Sequence, residues 1–82
     1  PLNFDTSSVT DMICMFAGAE SFNQPLNFTS TSNVINMKFM FDGAKSFNQP
    51  LHFDTSSVTN MYYMFINCPI SEENKPKFKI DN

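Results

Sequence analysis

Apolar and polar positions along the chain alternate between two periods. In Pro25–Phe28, Leu26 and Phe28 face one way and Asn27 the other, the period of two that predicts a short strand. Leu2/Phe4 and Leu51/Phe53 repeat this arrangement, each behind a proline, which a strand tolerates at its first residue. A polar Ser/Thr/Asp/Asn cluster follows each strand and predicts a turn. The period then lengthens. Val9, Met12, Met15, Phe16 and Ala19 fall at offsets 0, 3, 6, 7 and 10, and Val34–Ala44 and Val58–Cys68 keep the same spacing. That stripe predicts a helix of about two turns. Ser8, Asn33 and Ser57 stand where N-caps belong, with Asp11, Asn36 and Asn60 three residues on. Gly18, Gly43 and Asn67 stand where a left-handed C-terminal cap belongs.

Aligned, these stretches are one unit written three times. SFNQPLNF at Ser21–Phe28 recurs as SFNQPLHF at Ser46–Phe53. The repeats run 1–24, 25–49 and 50–68, and residues 69–82 close the chain as a polar C-terminal cap. The chain opens in mid-repeat, which reads as the end of a longer array with an uncapped first coil that would permit end-to-end self-association. The expected fold class is α/β. It is a solenoid of about three coils of short parallel strand plus short helix, forming a single unit over 1–82 in which neighbouring coils bury one another's apolar face.

The repeat accounts for the composition. All six methionines occupy two columns, Met12/Met37/Met61 and Met15/Met40/Met64. Eight of the ten phenylalanines occupy Phe4/Phe28/Phe53, Phe16/Phe41/Phe65 and Phe22/Phe47. A methionine stripe can also signal a copper site or a promiscuous peptide groove, but here helical spacing explains every one, so the reading is core. Leu2, Leu26 and Leu51, the two methionine columns and the Phe16 column are the expected interior.

A net charge of −3 with no basic stripe argues against nucleic acid. No apolar run approaches the ~18–20 residues that span a bilayer, and no signal segment is present.

Candidate chemistry is thin. His52 is alone and shares the outward strand column with Asn3 and Asn27. Asp5 and Asp54 recur in the turn, but the middle copy lacks the acid, so turn capping is preferred to calcium binding. No glycine elbow surrounds any serine, so the chain is read as a non-enzyme with no cofactor and no metal. Asn23/Asn48 and Gln24/Gln49 form amide columns that bond along the stack or, alternatively, face a sugar or peptide. Phe39 and Tyr63 share a column with Cys14 off the apolar stripe, with Tyr62 beside it. That column is either a solvent-facing contact patch or a half-buried flank. The candidate partner-binding residues are therefore Asn3, Asn27, His52, Phe39, Tyr62 and Tyr63. The two cysteines lie two coils apart, at least ~10 Å along the stack, beyond the ~7 Å of a bridged pair, so both are expected as free thiols.

The pattern FNQPL, V-x-x-M, M-F and G-A at fixed spacing over Pro1–Cys68 resembles BspA-type leucine-rich-repeat proteins, in the short form also found in mycoplasma surface lipoproteins. The closing SEENKPKF resembles the end of such arrays. Ile35 departs from the Thr10/Thr59 column. The resemblance implies a right-handed solenoid with a parallel sheet, on a bacterial cell-surface or secreted protein. It also implies a role in adhesion, with a protein or glycan ligand on a host or neighbouring cell. The alternative is a structural spacer or self-assembling surface-layer repeat.

Overall fold

A computed structural model describes residues 2–78, with side chains from Phe4 onward. Strand β1 (Leu2–Phe4) pairs in parallel with β2 (Leu26–Phe28), Leu2 opposite Leu26 and Phe4 opposite Phe28. The third copy, Leu51–Phe53, forms no strand; its Leu51 amide donates to Asn74 of the tail instead.

The expected α/β solenoid of strand-plus-helix coils is overturned. No α-helix occurs among the described residues, and the two strands have three residues each. The one helical segment among the described residues is a 3-10 turn at Glu72–Asn74. The described chain is a compact body of 28 × 28 × 21 Å with little regular secondary structure.

The helical stripe is built from successive turns. In the middle repeat, Met40 donates to the carbonyl of Met37, Asp42 to Phe39 and Ala44 to Phe41, all three-residue spans where an α-helix would need four. The intervening amides turn sideways: Met37, Phe39, Phe41 and Gly43 donate to Asn60, Tyr62, Met64 and Ile66 at 2.8–2.9 Å. Met12, Cys14, Phe16 and Gly18 likewise donate to Asn36, Lys38, Met40 and Asp42. A helix would use these amides internally and leave none to join the repeats. Gly18, Gly43 and Asn67 do have positive φ, at 73°, 74° and 57°. So do Cys14, Phe39 and Tyr63, at 58°, 57° and 53°, as the third residue of a four-residue turn of type II requires. A left-handed residue recurs at every fourth position, and the row of turns still brings Val34, Met37, Met40, Phe41 and Ala44 inward, the positions a 3.6-residue period selects.

Ser8, Asn33 and Ser57 accordingly cap nothing and sit inside the turns closed by Val9, Val34 and Val58 onto Thr6, Thr31 and Thr55. Asp11, Asn36 and Asn60 instead accept the amide two residues on through Oδ1, starting each row of turns.

The core lies in the middle repeat, where Val34, Met37, Met40, Phe41, Ala44 and Phe47 are completely buried. Above and below it the ladders thin. Met12, Leu51, Val58 and Met64 are buried, but Met61, Phe16 and Phe65 are half-buried and Met15 is 40% exposed, because an end layer has a neighbour on one side only. Leu26 of the middle repeat is half-buried as well, against the expectation that it belongs to the interior. Leu2's side chain lies outside the described set. Phenylalanines stack through the molecule, Phe16–Phe41–Phe65 at 5.3 and 5.6 Å and Phe28–Phe53 at 5.4 Å, with Phe4 tilted against Phe28 at 5.6 Å. Phe41 also meets Phe47 at 4.5 Å.

A buried threonine column joins the turns. Thr6 Oγ1 donates to the Ser30 carbonyl, Thr31 to Asp54 and Thr55 to Lys77. The amide column bonds along the stack: Asn23 Oδ1 accepts the Asn48 amide, and Asn48 Oδ1 accepts from Ser71 and Asn74 of the tail.

Candidate functional site

Two surface features collect the sequence-predicted residues. The first is an aromatic ridge on the turn rows. Phe39 and Tyr63 stand one above the other because both are the left-handed residue of the same turn, and their rings stack at 5.5 Å. Tyr62 lies against Tyr63 at 5.9 Å, and the Lys38 ammonium sits over Phe39 at 5.5 Å. Phe39 is half-buried, whereas Tyr62 and Tyr63 are 64% and 59% exposed. The ridge is thus half-buried flank at one end and open to solvent at the other. Stacking on its neighbours limits ring freedom, so a partner can bind the tyrosines with little further loss of side-chain entropy.

Tyr62 and Tyr63 also line a groove of about 750 Å³ between the third repeat's turn row and the tail. Its apolar wall is Met61, Met64 and Phe65 facing Pro76 and Phe78, with Lys75 over the Phe65 ring at 5.6 Å. Such a volume is in the range of about 300–1,000 Å³ common for ligand clefts. Sequence reading missed this groove. It arises because the tail folds back under the third repeat, held by Asn48, and no local pattern in the tail says which layer it meets.

The second feature is a hollow of about 340 Å³ beside the strands, lined by residues 26–31 and 52–54. It brings Asn27 and His52 together, both exposed, on a rim of hydroxyl groups. Asn3 belongs to the same column, with its backbone paired to Asn27, but its side chain lies outside the described residues. Asp5 at this end accepts from the Ser7 hydroxyl, the Ser7 amide and the Thr29 hydroxyl, which together hold its carboxyl below the usual range. These are turn contacts. Among the described residues no three His, Cys, Asp or Glu side chains gather as metal ligands.

Cys14 is exposed and Cys68 half-buried, and both are free. Burial pushes the Cys68 thiol upward, and its Sγ donates to the Phe47 carbonyl at 3.6 Å.

A stack of near-identical repeats, built from turns and presenting an aromatic ridge and a groove, defines a small repeat domain. The chain belongs to the Mycoplasma protein family of unknown function DUF285, which matches residues 2–82. No curated protein and no solved structure matches the chain. No helix among the described residues is long and apolar enough to cross a membrane.

Proposed function

We propose that this chain is a non-enzymatic binding module of a bacterial surface or secreted protein, of the BspA type its repeat motif resembles. Its ligand is a protein or glycan on a host or neighbouring cell. The observation that carries this reading is the pair Tyr62 and Tyr63, the most exposed large apolar side chains among the described residues, Tyr63 stacked on Phe39 and Tyr62 on Tyr63 at the rim of the groove. Exposed aromatic rings held rigidly beside a cleft are the typical anchors of contact surfaces.

The test is adhesion of beads carrying the whole chain to a cell monolayer. Tyr62→Ser with Tyr63→Asn, the latter chosen because asparagine accepts the left-handed backbone, is expected to cut adhesion by at least about tenfold. Unchanged adhesion by a folded double variant would overturn the aromatic reading. A second contact surface is favoured by Asn27 and His52 lining one hollow. If Asn27→Ala with His52→Ala alone abolishes adhesion, the ligand sits there. Wild-type beads that fail to adhere support the structural-spacer alternative.

A further inference from the structure

The backbone amides of Met61, Tyr63, Phe65 and Asn67 are the third-repeat counterparts of Met37, Phe39, Phe41 and Gly43. In the first and second repeats this row of four amides donates to four alternate carbonyls of the next layer. In the third repeat none of the four has an acceptor among the described residues. The tail explains why. Its described residues make their hydrogen bonds to the strand half of that layer, Asn74 accepting from the Leu51 amide and the Lys77 carbonyl from the Thr55 hydroxyl. The described tail offers no acceptor to the turn half, whose Met61–Phe65 line the groove.

We propose that this groove binds a linear peptide segment by backbone addition, and that its occupant is a segment carrying this repeat's own Asn-Met-x-Phe-Met-Phe row, as in residues 36–41. The same donor row is already filled twice within the molecule, by residues 36–42 and by residues 60–66. A third copy of such a row meets the same donors at the same spacing. Open rows of main-chain donors take a further segment through main-chain bonds, with side-chain pockets adding selectivity, and here the incoming segment adopts the same row of turns. In register, the carbonyls of Asn36, Lys38, Met40 and Asp42 of the incoming segment accept from Met61, Tyr63, Phe65 and Asn67. Its phenylalanine at position 41 continues the Phe16–Phe41–Phe65 stack toward Phe78.

This deepens the binding-module reading by naming a partner chemistry, but it rests on backbone donors, whereas adhesion is tested through ring faces. A synthetic peptide of residues 34–44 is titrated into the full chain, and amide hydrogen exchange is followed residue by residue. Saturable binding is expected, slowing exchange at Met61, Tyr63, Phe65 and Asn67 by at least about tenfold. Esters in place of the amides after Lys38 and Met40 of the peptide, which weaken those acceptors, should raise Kd by at least about fivefold. No saturable binding, protection only around Asn27 and His52, or equal binding by a scrambled peptide each overturns the proposal. The Tyr62→Ser, Tyr63→Asn variant separates the two ideas: lost adhesion with retained protection at these amides leaves the backbone site standing by itself.

Discussion

Thr31 shows how much one buried hydroxyl carries. Its Oγ1 donates to the Asp54 carbonyl at 3.0 Å and accepts the Asp54 amide at 2.7 Å, inside a turn that joins two repeats. Thr31→Val keeps the shape and removes both bonds, at an expected cost of about 1–3 kcal/mol in urea unfolding, whereas exposed Thr10→Val should be near neutral. Gly43 is a conformational case. A Cβ there would meet nothing closer than 3.8 Å, so Gly43→Ala is resisted by its φ of +74° and not by a clash, at about 1–2 kcal/mol. Asp5 titrates in a defined direction. Its folded carboxyl is held low by Ser7 first and Thr29 after, so the stabilisation is present above the ordinary carboxylate range and is lost as pH falls below it. Asp5→Asn should flatten that acid limb of the stability curve, and an unchanged limb would show that the turn contacts contribute nothing.

At the scale of elements, the row of turns replaces the helix because it solves two problems together. It turns apolar side chains inward and sends every second amide to the neighbouring layer. Phe41 sits where these rows are densest, touching Phe16, Phe65 and Phe47. Phe41→Ala is expected to cost ~3–5 kcal/mol. The same change at half-buried Phe65 should cost clearly less, and the difference reads the one-sided neighbourhood of an end layer. The inward positions were legible from spacing alone, as Val34, Met37, Met40, Phe41 and Ala44 confirm. The element type was not. Offsets of 0, 3, 6, 7 and 10 read as a helix of period 3.6, yet the row of turns brings the same positions inward in the middle repeat, so spacing does not separate the two. Left-handed Cys14, Phe39 and Tyr63 carry no glycine to announce themselves.

For the whole molecule, attachment of the tail is the variable that shapes the groove. Asn48 Oδ1 takes the Ser71 amide and hydroxyl and the Asn74 amide group, so Asn48→Ala should loosen the tail and raise exchange at Leu51, whose amide donates to Asn74. The cysteines report on the same packing. Cys14 is expected to alkylate first. Cys68 lags, because its half-buried thiol ionises less readily, until unfolding equalises the two.

Much of the candidate site was visible as residues and little of it as a site. Phe39, Tyr62 and Tyr63 could be singled out because they break the apolar stripe, and Asn27 and His52 because they alternate with strand apolars. Near-identity of the repeats settles the register of stacking, since identical side chains can form ladders only when equivalent positions lie opposite one another. The amide column was predictable for the same reason. Tertiary contacts chose between helix and turns, because the amides at stake have their acceptors 23 to 24 residues away, in the next repeat. They also selected Thr6, Thr31 and Thr55 as the buried hydroxyls over Thr10 and Thr59, and tied the described tail by hydrogen bonds to the strand half of the third repeat. The groove follows from that placement, and local patterning has no means to specify it, since its two walls come from segments that meet only after the chain has stacked.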